Sequence, residues 1–284
     1  MWALYALLSA WSWATSDAVA KQAMRQGAND RFILFFRYLV TVPVLLPLLL
    51  HGVPPLDPVF WWLHLPWIPL ETAALILYIQ ALRIAPLSLT LPYLSFTPLF
   101  LVLTGWVFLG ERVSCQGFAG ILLVVLGSYV LNLDRRDQGP WAPLRALLQE
   151  PGSRRMLGAA ALYSLTSLVG KQLVLHSSPT YFSVHYAVVM TLVLAPIGLR
   201  HWPTRASKAP WPQLLASGVL FSGMVVFHML AIERAIVAYM IALKRFQGVF
   251  GVILGRWVFH EEAFGVRLLG SLLMVLGGLL ILGA

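Results

Sequence analysis

Long apolar runs, separated by short clusters of proline, glycine and charge, dominate the chain. A bilayer span needs about 20 mainly apolar residues. Runs of that kind lie near 2–23, 32–50, 60–82, 86–109, 114–132, 156–175, 181–199, 212–232, 235–259 and 264–283. They are too long for membrane-barrel strands and lack the alternation such strands require. The pattern predicts an all-α membrane protein of ten transmembrane helices. The first run has no basic segment before it and carries Asp17 and Lys21 near its end, so it reads as a span rather than a signal peptide.

The chain also repeats itself. Lys21-Gln22 recurs as Lys171-Gln172, 150 residues on, and around them "ATSDAVAKQ" answers "LTSLVGKQ". "WVFLGER" at 106–112 matches "WVFHEEA" at 257–263, and "GILLVVLGS" at 120–128 matches "GSLLMVLGG" at 270–278. Each half then holds five spans. Because five is odd, the second half enters the bilayer inverted relative to the first, the usual build of a secondary transporter. The expected organisation is a first repeat over 1–132, a connector over 133–155 and an inverted second repeat over 156–284.

Composition agrees: 59% of residues are hydrophobic and only 11% charged, with a mean hydropathy of +0.79. The formal charge of +9 resides in short loops rather than on one soluble face, which argues against a nucleic-acid partner. With loops alternating between two sides, one side receives Lys21, Arg25, Arg31, Arg83, Arg135, Arg136, Arg145, Arg154, Arg155, Arg200, Arg205, Lys208 and Arg267. The other receives Arg112 and Arg234. Basic loops stay cytoplasmic, so both termini are expected outside and the connector inside, in a plasma or inner membrane. Within the connector, "WAPLRALLQE" predicts a short interfacial helix with Trp141, Leu144, Leu147 and Leu148 toward the membrane. The single cysteine, Cys115, excludes an intramolecular disulfide.

The stretches "APLSLTLPYLSFTPLFLVLTGWVFLGE" and "AYMIALKRFQGVFGVILGRWVFHEE", each followed by a glycine-spaced last helix, resemble the EamA-type branch of the drug/metabolite transporter superfamily. The resemblance covers essentially the whole chain. It implies ten helices in two inverted halves around a central cavity, moving a small molecule by alternating access without a cofactor. Many relatives keep their termini in the cytoplasm, whereas the loop charges here place them outside.

Charges inside spans need a reason, since each costs about 2.5–3.5 kcal/mol at a helix centre on insertion scales. Lys244 and Arg245 fall near the middle of the ninth predicted span, about 15 Å from either end at 1.5 Å per residue. They could form an anion clamp for substrate, a planar fork beside a point charge, or be neutralised by Glu71 and Asp17. At the matching positions the first repeat has Leu94 and Ser95, so the scaffold does not itself demand cations there. The Lys-Arg sequence also resembles that of the superfamily's phosphate translocators, where it holds the substrate's phosphate.

Asp17 and Lys21, four apart with the acid first, suit a helical ion pair. Lys171 has Ser167 at the matching position and no nearby acid in sequence. Glu71, mid-span, is suited to proton coupling or to a salt bridge with Arg245 or Lys244. Arg37 lies near the start of its span, where it can snorkel. Trp13, Tyr93 and Tyr163 are candidate cavity aromatics. Pro92 and Pro98 loosen the fourth span. Glu111 and Glu262 sit where a last helix begins and read as caps. Gly120 and Gly127, like Gly270 and Gly277, share a helix face, suited to close packing inside the chain or in a homodimer.

The expected function is secondary active transport of a small metabolite carrying an anionic group, with a proton or ion as coupling partner. A flippase for a lipid-linked phosphate is the nearest alternative. A membrane enzyme is a further class, but the chain lacks HExxH, a phosphate-cradling glycine loop, a metal array and a nucleophile elbow.

Overall fold

The computed structural model describes residues 1–84, 93–131, 150–203, 209–259 and 264–284, and over these the chain is helical with no strand. In order come α1 (Trp2–Arg25), α2 (Asp30–Leu45) continued by a 3-10 turn (Leu46–His51), α3 (Pro58–Ile84), α4 (Thr97–Leu109) and α5 (Cys115–Leu131). The second half follows with α6 (Pro151–Leu175), α7 (Pro179–Arg200), α8 (Trp211–Ile232), α9 (Val237–Lys244), α10 (Gln247–Phe259) and α11 (Phe264–Leu282). The expected interfacial helix with Trp141, Leu144, Leu147 and Leu148, and also Pro92 and Glu262, lie outside the described residues.

Local sequence explains most boundaries. Asn29, Glu150 and Ser178 accept backbone N–H bonds at the starts of α2, α6 and α7. Pro43 and Pro47 tighten the end of α2 into its 3-10 turn, since neither can donate to the helical ladder. Gly110 closes α4 at φ +66°, a left-handed conformation that glycine adopts without strain.

One expected span is not continuous. The ninth run divides into α9 and α10 at Arg245-Phe246, where the Phe246 N–H bonds to the Leu243 carbonyl at 3.0 Å instead of reaching back four residues. The fourth run turns in the same way: the Phe96 N–H bonds to the Tyr93 carbonyl at 3.1 Å, and α4 begins at Thr97. Pro98 accounts for part of the first turn, but the second has no proline. There the interruption follows from the buried cations that occupy it.

Among the described residues, three stretches are long and apolar enough to cross a bilayer unaided: Asp30–Leu50, Pro179–Arg200 and Trp211–Ile232. Thr97–Leu109, Cys115–Val130 and Leu269–Leu282 are apolar but shorter. The outward faces are studded with exposed Leu103, Leu192 and Leu279, while Trp61, Trp62, Trp202 and Trp211 emerge near helix ends.

Helix pairing sets the interior. α1 packs along α8 and α6 along α3; α2 lies against α7, and α5 against α11; α1 also meets α10, and α6 meets α4. Small residues permit the closest approaches. A Cβ on Gly120 would sit 2.7 Å from the Gly277 carbonyl oxygen, and one on Gly127 would sit 2.6 Å from that of Gly270. The glycine faces of α5 and α11 are therefore occupied by each other within one chain. Along α1 and α8 the seam is polar but satisfied: Ser9 donates to the Met224 carbonyl at 3.0 Å and Ser16 to that of Ser217 at 2.8 Å.

Candidate functional site

Lys244 ends α9 and Arg245 caps it, which places both cations at the break in the ninth span. Both are buried, at 7% and 8% exposure. Lys244 Nζ lies 3.0 Å from His228 Nδ1 of α8 and 4.5 Å from the ring centre of Trp13 of α1. The lysine thus rests on a neutral acceptor and a π face. Arg245 is still less satisfied, because its buried Nε has no hydrogen-bond partner. Tyr78 of α3 and Tyr163 of α6, ring centres 6.4 Å apart, are the groups acting most strongly on its charge.

Neither acid proposed as a counter-charge touches these cations. Glu71 of α3 accepts from Tyr186 at 3.1 Å and from the Thr166 hydroxyl, and Tyr186 is in turn 3.0 Å from the Tyr38 hydroxyl. Its effect on Lys244 is exerted through space. Asp17 is committed elsewhere: its Oδ1 pairs with Arg37 Nη2 at 2.8 Å, and its Oδ2 accepts from Gln247 Nε2, the first residue of α10, at 2.9 Å. The ion pair expected within α1 between Asp17 and Lys21 is thus replaced by one to α2. Lys21 lies one turn further along α1 and is partly buried. Arg37 does not snorkel, because its Nε donates to Ser217 at 2.8 Å and its Nη2 to the Ser16 carbonyl at 2.9 Å.

Lys171 has the acid its local sequence lacks. It pairs with Glu111 and donates to the Ala235 carbonyl at 2.7 Å, and Glu111 accepts from the Val237 N–H at 2.9 Å. Glu111 is a cap, as its position suggests, but it caps α9 rather than the helix that follows it. Ser114 serves α5 instead, accepting from the Gly117 N–H at 3.0 Å. Both halves of the broken ninth span therefore begin on a carboxylate that is itself held by a cation: α9 on Glu111 with Lys171, and α10 on Asp17 with Arg37.

The structure brings Lys244, Arg245, Trp13, Tyr163 and Glu71 to one central region. Tyr93 is buried in a small cluster with Leu94 and Ala160, edged by Tyr78 and Tyr163. Sequence reasoning did not single out Tyr78 or Gln247, and it left His228 unassigned. His228 alone carried a signal, as an ionisable group inside an apolar span. A second histidine contact, His64 Nε2 to His185 Nε2 at 2.8 Å, joins α3 to α7. It is packed among Phe60, Trp61 and Phe182. In the loop before α3, Asp57 caps Phe60 and contacts His176, and these bonds hold its carboxyl below the usual range.

Among the described residues, no group of three metal-ligating side chains occurs. A surface groove of about 550 Å³ lies between α4 and the start of α5, lined by Leu99, Val102, Trp106, Glu111, Arg112 and Phe118 among others.

Comparison with known proteins places this arrangement. Riboflavin transporters from Rhizobium johnstonii and Brucella anthropi are 24% and 23% identical, over 87% and 91% of this chain and 78% and 89% of theirs. A crystal structure described only as that of a protein superposes with a TM-score of 0.76 at 19% identity, over 98% of this chain and 95% of its own, and shows the fold alone. The model of the EamA-like transporter family matches residues 1–133 and 154–283. With its apolar helices and buried polar centre, the chain belongs to the EamA-like transporter family and is a multi-pass membrane transporter.

Proposed function

We propose that the protein is a secondary active transporter that binds a small metabolite with an anionic group at Lys244 and Arg245 and moves it by alternating access. One observation carries the reading: two buried cations lie together at a helix break with no carboxylate bonded to either. Buried charges are normally paired, and a bound anion supplies the missing partner. Trp13, Tyr163 and Tyr93, with Tyr78, provide aromatic surface for a flat metabolite. The naming of both relatives as riboflavin transporters supports a polar heterocycle.

Two inverted five-helix halves, 1–132 and 156–284, would rock about this centre. The helix pairing supports this, since exchanging the halves turns α1–α8 into α6–α3 and α1–α10 into α6–α4. The loop charges support termini outside and the 133–155 connector in the cytoplasm. Glu71, buried and bonded only to hydroxyls, is the candidate coupling carboxyl. Asp17, Lys21 and Lys171 belong to the charge pairing that holds the helices. Any homodimer would need a face other than the glycine faces of α5 and α11. A flippase for a lipid-linked phosphate is the second reading, favoured by the lateral groove beside Arg112.

The test is thermal stability of the purified protein against riboflavin, riboflavin 5′-phosphate, aromatic carboxylates, cations and lipid headgroups. Lys244→Ala/Arg245→Ala is measured alongside. A ligand specific for the folded state adds about 2.7 kcal/mol at a hundred times its dissociation constant. Stabilisation by anions that disappears in the double variant is expected. Equal stabilisation of parent and variant would remove the clamp from the site.

A further inference from the structure

We propose that Lys244, seated on His228, binds the proton that travels with an anionic substrate. The inference rests on the anion site above and assigns its coupling group. Of the two cations, only lysine can give up its proton, because a guanidinium stays charged at any accessible pH. The contacts of Lys244 suit a group that alternates. Its Nζ has a neutral imidazole at 3.0 Å and the Trp13 face at 4.5 Å, and no carboxylate at ion-pair distance.

With Nδ1 accepting from the ammonium, His228 carries its own hydrogen on Nε2 and is neutral. A second proton on the imidazole would place two cations 3.0 Å apart beside Arg245, so the two side chains hold one exchangeable proton between them.

The surroundings leave few competing charges. Arg245 follows Lys244 on α9, Glu71 acts on it from α3 without contact, and α8 brings His228. α1 brings Trp13, with Asp17 committed to Arg37, and α6 brings Tyr163. The lengths of α4 and α5 carry no Asp, Glu, Lys or Arg, and α11 packs against the break through Gly278.

In the empty site, a proton on Lys244 is opposed by Arg245 and by burial. An anion between the two reverses that balance. Proton and anion therefore bind with reciprocal cooperativity, each raising the other's affinity by one factor. The proton adds to the Nζ lone pair from water on the loading side and returns to water when the anion leaves, so a monoanion crosses with no net charge.

The experiment is calorimetric titration of the purified protein with riboflavin 5′-phosphate between about pH 7.5 and about pH 9, where a phosphate monoester remains a dianion. Two buffers of different ionisation enthalpy give the protons taken up per ligand. Uptake approaching one proton is expected at the alkaline end, with affinity falling up to about tenfold per pH unit as Lys244 discharges. In Lys244→Arg, binding should persist with neither uptake nor pH dependence, because the charge is fixed. Lys244→Gln should also lose the uptake, with weaker binding throughout.

Uptake that survives both lysine variants overturns the proposal, and its loss in Glu71→Gln would then put the proton on Glu71. Binding by the parent without uptake also overturns it while leaving the anion site standing. No binding at any pH removes the anion site and this inference together.

Discussion

The turn at Tyr93–Phe96 and the turn at Leu243–Phe246 are separated by 150 residues and built alike. In each, a phenylalanine N–H reaches back three residues, to Tyr93 or Leu243, and the carbonyl of that phenylalanine receives the N–H of Phe100 or Phe250. Their side chains differ completely. Leu94 and Ser95 are buried, and Ser95 hydrogen-bonds Ser128 of α5. Lys244 and Arg245 fill the equivalent places, and opposite them Gly278 stands where the first half has Ser128. The same backbone break is stable with apolar or neutral polar contents, so the cations are additions to the fold rather than its requirement.

The strongest test transfers one turn's chemistry to the other. Lys244→Leu/Arg245→Ser should abolish uptake of the anionic substrate into proteoliposomes while leaving the unfolding temperature equal or higher. Replacing buried charge by well-packed apolar groups is often neutral or stabilising, by about 1–4 kcal/mol. Loss of transport together with loss of folding would mean that the cations hold the break.

Glu111→Gln addresses the other end of α9. It leaves Lys171 buried without its carboxylate and weakens the cap on Val237, so stability in denaturant should fall by about 3–5 kcal/mol. Gly278→Ser restores the first-half residue in the second half. Its Cβ would meet the Phe246 ring at 2.8 Å, an overpacking worth about 1–3 kcal/mol. A loss above that range would mark the Phe246 turn as the more tightly built of the two.

Much of the fold was legible because bilayer thickness fixes run length and proline, glycine and charge mark the ends. The cation site was legible for the same reason, since Lys244 and Arg245 stand out against apolar neighbours. Their partners were not. Asp17 has Lys21 one turn away but meets Arg37 of another helix, and Glu111 caps a helix that begins at Val237. Such pairings depend on which helices lie side by side, which local spacing does not encode. The break at Arg245-Phe246 was hidden because it contains no proline or glycine.

The smallest expected effect lies far from both turns and serves as a pH reference for them. Asp57 is exposed in the loop before α3, with its carboxyl held below the usual range by the Phe60 N–H and by His176. A depressed carboxylate contributes stability that is fully present above its unfolded value, near 3.9. That contribution is lost as the pH falls through the folded value. Asp57→Asn should therefore lower the unfolding temperature slightly at neutral pH, by the same amount up to about pH 9, with the difference from the parent closing only in acid. A difference that instead changed between about pH 7.5 and about pH 9 would show that alkaline titration reaches the loops. The pH response at Lys244 would then have to be measured against that background; a constant difference leaves the alkaline window to the second turn alone.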